Sequence, residues 1–279
     1  MPVTLDVTSD IILESIIVVR GGKEIIHDVN VRLRSGKTTV IMGASGCGKS
    51  TLLKIASGIS LPDRGSVFIG SRDINTLSEK DSKQLRSHWG FVFQDAALWA
   101  NKSIIQNLTL PLVYHNSNLG LEEATRKAER LARSVGYRDE MDLRPSQLSN
   151  GEMKMISFAR ALITEPTVLF LDSPFAAVDH ASVIKMRKII DSFRKSGGTV
   201  CAIFQDPKYI AETTDDLIVM KDGSVIAAAP FADIINTRES DVRDEIGELL
   251  DQAASYDGSI LDILSDSNND PFKDDREPR

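Results

Sequence analysis

Residues 43–50 read GASGCGKS, which fits the spacing G-x-x-x-x-G-K-[ST]. Glycines so placed let a loop curl until its backbone N–H groups converge on phosphate oxygens. A helix that starts at the end of the loop adds its positive N-terminus to the same anion. Lys49 is then expected on the β- and γ-phosphates of a nucleotide, and the Ser50 hydroxyl on Mg²⁺. Gly43, Ala44, Ser45, Gly46, Cys47, Gly48, Lys49, Ser50 and Thr51 form this expected nucleotide-binding stretch. Cys47 reads as a small filler inside the loop rather than a reactive group. The motif states a P-loop nucleotide binder, and the lack of an N-K-x-D sequence argues against guanine recognition.

Such a loop needs a strand before it and a helix after it. KTTVIM supplies the strand, and Leu52, Leu53, Ile55 and Ala56 give the following segment an apolar helical face. Upstream, IILESIIVV (11–19) reads as a strand, GGK as a turn and EIIHDVNVRLRSG as a returning strand. GSVFIG, WGFVFQD, TVLFLD, GTVCAIFQD and DLIVMKDGSVIA continue the strand series. From about 95 to 165 the pattern turns mostly helical, as in LEEATRKAERLARSVGY. Strands alternating with helices predict an α/β fold with a largely parallel sheet, interrupted by a helical insertion.

Further polar positions stand at the ends of these predicted strands. Gln94 follows FVF, LSNGE (148–152) opens a helical run, LFLDSP ends a strand at Asp172, AAVD ends at Asp179, and FQD spans 204–206. With the P-loop, this set in this order resembles the ATP-binding cassette (ABC) ATPases over roughly residues 10–230. The resemblance implies a P-loop NTPase core of the RecA type, an antiparallel β subdomain and an inserted α-helical subdomain. It implies ATP and Mg²⁺ as cofactors, with Ser50, Gln94 and, through water, Asp172 on the metal. It also implies a head-to-tail dimer. Leu148, Ser149, Asn150, Gly151 and Glu152 would be the signature that touches the ATP of the opposite subunit, and Asp179 would be the D-loop aspartate at the seam. The segment FVFQDAALWANKSIIQNLTLPLVYH, with DSPF, further resembles lipid-trafficking ABC ATPases of the Mla/Mce type. Ser149 and Glu152 also have the spacing of an S-x-x-E capping box, which would aim the helix start at the partner's phosphate.

Several positions depart from the family. Ser173 stands where a glutamate acts as general base, and Gln205 where a switch histidine contacts the γ-phosphate. Asn150 and Glu152 replace a signature glycine and glutamine. The adenine-stacking aromatic expected in the early loop falls near Arg20, whose guanidinium plane offers another stacking surface. A serine hydroxyl does not accept a proton at neutral pH as a carboxylate does, and losing a positioned base costs about 10²- to 10⁴-fold. The expectation is a chain that binds MgATP and dimerises but turns over slowly, or not at all, at its own P-loop. The alternative is a competent ATPase in which Gln205 orients the water, since phosphoryl transfer depends mainly on positioning and charge.

The chain has 279 residues and a net charge of −7, which argues against a nucleic-acid partner. Its two cysteines read as reduced thiols, and MPVTLDVTSD lacks the basic start and apolar run of a secretory signal. The expected location is the cytoplasm, peripheral on the inner face of the membrane through a permease. The expected partners are a second cassette chain, identical or different, an integral membrane permease and a lipid-binding Mce-type protein. A non-transport cassette protein of translation or DNA repair is a different class, and the long insertion or second cassette usual there is missing. The expected division is a cassette over 1–230, with its helical insert at about 95–165, and an acidic extension over 231–279, helical and then disordered. Residues 233–279 hold fourteen acidic and five basic side chains, a net of −9.

Overall fold

The computed structural model describes residues 6–116 and 118–255. The stretches GSILDILSD and DSNNDPFKDDREPR, expected as helix and disordered end, lie outside them.

The chain opens on a long hairpin of β1 (Ile11–Arg20) and β2 (Lys23–Leu33). Ile11 and Leu13 face inward, then Ile16 and Val18. An uncorrected period of two would expose the second pair. A bulge at Ser15, whose φ is 49°, resets the phase. β4 (Arg64–Ile69) and the two-residue β5 (Arg72–Asp73) complete an antiparallel sheet in the order β2-β1-β4-β5.

The second sheet runs β10-β9-β3-β8-β7-β6. Here β3 (Thr38–Met42), β6 (Trp89–Val92), β7 (Val168–Asp172), β8 (Thr199–Ile203) and β9 (Asp216–Lys221) are parallel, and β10 (Ser224–Pro230) returns antiparallel to β9. Every residue of β7 and β8 is buried, as strands covered on both faces require. Val168 and Phe170 point to a core shared with the antiparallel sheet and α1 (Lys49–Ala56). Leu169 and Leu171 point the other way, into a core shared with the helices.

Those helices include α3 (Ile104–His115), α4 (Leu121–Val135) and α5 (Asn150–Leu162). α4 packs through Ala124, Ala128 and Ala132, small side chains one turn apart that let helices approach closely. α6 (His180–Lys195), α7 (Pro207–Thr213), α8 (Phe231–Ile235) and α9 (Ser240–Ser255) follow, and α2 (Glu79–His88) lies between β5 and β6. The parallel sheet, the antiparallel sheet and the helical segment are the α/β architecture expected. Parallel strands also bring the residues that follow β3, β6, β7 and β8 to one edge, where ligands bind in open α/β sheets.

Candidate nucleotide site

That edge carries a cleft of about 980 Å³. The residues after β3 make its floor. Gly43 has φ 139°, and a Cβ there would sit 2.0 Å from the Met220 carbonyl oxygen. Gly48 has φ 105°, and its Cβ would strike the Ile26 side chain at 2.6 Å. Gly43 therefore excludes a side chain, and at Gly48 the positive φ disfavours one. Gly48 caps α1 without a side-chain hydrogen bond, which leaves the helix's first N–H groups for a ligand. Lys49 Nζ folds back and donates to the carbonyls of Gly43 (2.8 Å) and Ala44 (2.7 Å). Gly43, Ala44, Ser45, Gly46, Gly48, Lys49, Ser50 and Thr51 line the cleft. Cys47 does not; it is buried in the core between the sheets, as befits a filler.

Asp172 ends β7 and is 1% exposed. Its Oδ2 has no hydrogen-bond partner, and Ser50 lines the cleft beside it. Burial pushes this carboxyl above the ordinary range, against the pull of Ser50, Lys54, Lys154 and Lys49. A buried carboxylate oxygen with no partner, beside a hydroxyl and facing a phosphate loop, suits a hard cation with oxygen ligands. Because its folded pKa is raised, the ionised form costs stability at neutral pH, and the cost is relieved as pH falls through that pKa. Asp172→Asn is therefore expected to melt above wild type without nucleotide. It should also lose the further rise that MgATP gives wild type. Calorimetry with and without MgATP checks both.

Gln94 lines the same cleft. Its loop is held from behind by two cations of α5. Lys154, 3% exposed, donates to the carbonyls of Phe93 (2.7 Å) and Gln94 (2.6 Å). Arg160 donates to those of Ala97 (2.8 Å) and Ala96 (3.1 Å) and lies over the Trp99 ring. Burial depresses both cations, Arg160 to about 10. Neither residue was singled out by the sequence; the signal was a lysine within the otherwise apolar face of MKMISF. Their bonds fix the Gln94 loop to the helix that LSNGE begins.

Ser173 is 7% exposed and holds φ 48°. Its N–H donates to the Ile203 carbonyl at 3.1 Å, at the end of the neighbouring strand. Ser173 and Gln205 line both the cleft and an adjoining hollow of about 430 Å³ walled by Phe175 and Arg187. The two residues at the departing positions thus share one corner. The other carboxylates lining the cleft are Asp244 and Glu245 of α9, which the sequence did not flag as site residues.

The remaining expected residues lie apart. Leu148, Ser149, Asn150, Gly151 and Glu152 do not line the cleft of their own chain. Ser149 accepts from the Glu152 N–H, and Glu152 Oε2 accepts from the Ser149 N–H at 2.7 Å, so the capping box forms. Gly151 packs so closely on the loop before α6 that a Cβ would lie 2.5 Å from the Ala177 carbonyl oxygen. Asp179 caps α6 by accepting from the Ser182 N–H at 3.0 Å, which holds its carboxyl below the usual range. Arg20 does not line the cleft either. Its guanidinium donates to the Val19 carbonyl and pairs with Asp63, so the stacking surface expected from it is not presented there.

Comparison with known proteins agrees with this geometry. Residues 26–176 match the family model described as ABC transporter. The chain is 35% identical over 206 residues to the macrolide export ATP-binding/permease protein MacB of Shewanella sp. (strain W3-18-1), covering 73% of this chain and 31% of that protein. It is 32% identical over 235 residues to the probable syringafactin export ATP-binding/permease protein SyfD of Pseudomonas syringae pv. syringae (strain B728a), covering 83% and 35%. The chain thus spans about a third of the length of the curated relatives it matches. Among solved structures, the dimeric cassette MJ0796 in a post-hydrolysis state with ADP and Pi superposes with a TM-score of 0.72 at 27% identity, over 79% of this chain and 98% of that one.

Proposed function

Because the chain belongs to the ABC transporter family as an ATP-binding cassette, a class that binds ATP with Mg²⁺, we propose that it closes head-to-tail on a second cassette and drives or regulates a membrane permease. We place the cassette at 1–230, its helical insert at about 95–165 and the acidic extension from 231. Its own P-loop site binds MgATP but turns over slowly or not at all. One observation carries this reading: Asp172 holds a buried, unpartnered carboxylate oxygen in the cleft that Ser50 also lines, whereas the next residue is a serine.

In this reading the phosphate-loop amides and Lys49 would hold the phosphates, and Ser50, Gln94 and, through water, Asp172 would hold Mg²⁺. The ion neutralises phosphate charge when bound. LSNGE and Asp179 lie outside the chain's own cleft, which supports their use across a dimer seam. A homodimer repeats Ser173 at both sites by symmetry. A heterodimer lends LSNGE to a competent partner's ATP, and this pairing fits a transporter that must cycle. Gln205 shares the corner with Ser173, and that favours the second reading, in which it orients the attacking water.

Trp99 (46% exposed), Leu110, Val113 and Tyr114 (60% exposed) form an apolar surface on and before α3 that suits the permease. Leu112, on the same helix, belongs to the core instead. No helix among the described residues is long and apolar enough to cross a membrane, so attachment at the inner face would run through the permease. A lipid cargo, with an Mce-type partner, rests on the segment 91–115 and on DSPF at 172–175. The export cargoes in the relatives' names belong to those proteins.

Light scattering and phosphate release on the purified chain test the proposal. MgATP should convert monomer to dimer, alone or with a partner cassette, while the chain alone releases phosphate below about 0.1 s⁻¹. Rapid release with no nucleotide-dependent association would sink it.

A further inference from the structure

The described part of the acidic extension is docked on its own chain. α9 lies against α7, α8, β9 and β10. Val242 and Ile246, one turn apart, are buried in the helix-side core. Asp241 pairs with Lys221 of β9 at 3.3 Å. With 242 and 246 turned inward, 245 falls on the flank of the helix. There Glu245 Oε2 accepts a hydrogen bond from the Ala44 N–H at 3.0 Å. Asp244, beside it, also lines the cleft.

Ala44 belongs to the loop whose amides converge on phosphate. A carboxylate oxygen on such an amide matches a phosphate oxygen in charge and in hydrogen bonding. The two anions repel at close range and do not share the amide. We infer that α9 is a built-in competitor for the phosphate loop: Glu245 holds a carboxylate on the loop, where it repels an incoming phosphate, and ATP binds by displacing it. The inference rests on the nucleotide reading above and adds a regulator to it. The hydrophobic anchors hold the helix near, and the single carboxylate contact sets the balance. Any partner that pulls α9 away from β9 would raise the chain's affinity for ATP, because apparent affinity scales with the fraction of open molecules.

The test is a titration of the full chain with fluorescent ATP and Mg²⁺, run on wild type, E245A and E245Q. Alanine keeps the helix, being its best former. E245A should bind about three- to tenfold more tightly than wild type, with E245Q, which keeps the acceptor but not the charge, in between. In wild type, MgATP should speed hydrogen exchange of the amides of residues 240–247. Equal affinity in wild type and E245A, with exchange in 240–247 unmoved by MgATP, overturns the competitor. Failure of wild type and E245A alike to bind ATP would instead overturn the nucleotide reading beneath it.

Discussion

Replacing Ser173 with glutamate is expected to raise phosphate release by about 10²- to 10⁴-fold over wild type, the usual worth of a positioned general base. The position can accept the change. Its backbone already holds a left-handed conformation, φ 48°, with a non-glycine side chain in place. The side chain borders both the cleft and the adjoining hollow of about 430 Å³, so a longer chain has room. A carboxylate next to Asp172 would repel it and stay protonated without metal. Mg²⁺ offsets that repulsion when ATP is bound, so the gain should appear only with the metal. Gln205→His alone should add less, and the pair less than the product of the two, because residues that act on one water are not additive. Wild-type release at ordinary enzyme rates, with no gain in Ser173→Glu, would show that Gln205 already positions the water and that the site is competent.

The parts of the site legible in the sequence are those whose chemistry is local. The P-loop is eight consecutive residues, and its glycines are dictated by neighbours such as the Met220 carbonyl that the fold must bring close. The capping box of Ser149 and Glu152 spans four residues and forms as its spacing predicts. The strands of the parallel sheet announce themselves as apolar runs because both of their faces are covered. α2 did not: SEKDSKQLRSH buries only Leu85, so it has no apolar stripe to read. The pairing of Arg20 with Asp63 joins residues 43 apart in sequence, and no motif announces it. The Glu245–Ala44 contact spans 201 residues, and no period or motif encodes it. Lys154 sits within an apolar helical face, and the two carbonyls that the Gln94 loop offers it are ones no spacing rule foretells.

Lys49→Met is expected to weaken MgATP binding by about 10²-fold while leaving the fold intact. Lys49 has two possible sets of partners. Without nucleotide its ammonium serves the carbonyls of Gly43 and Ala44, neutral dipoles within its own loop. With nucleotide the same ammonium exchanges them for phosphate oxygens that carry full charge, and charge-assisted bonds are roughly twice as strong as neutral ones. The difference between the two sets contributes to binding and not to folding, which is why the substitution should separate them. Methionine fills the space of the aliphatic stem, and the freed carbonyls border an open cleft where water can satisfy them. Thermal unfolding without nucleotide should therefore stay within about 2 °C of wild type. Ala44 is held from both sides, by Lys49 on its carbonyl and Glu245 on its N–H, so Lys49→Met also loosens the residue that α9 grips. Combining Lys49→Met with E245A should recover part of the lost affinity, since removing the carboxylate no longer requires the ammonium to outbid it. If Lys49→Met instead unfolds the chain, the ammonium is part of the loop's structure first. If it binds MgATP as wild type does, the phosphates do not lie on this loop.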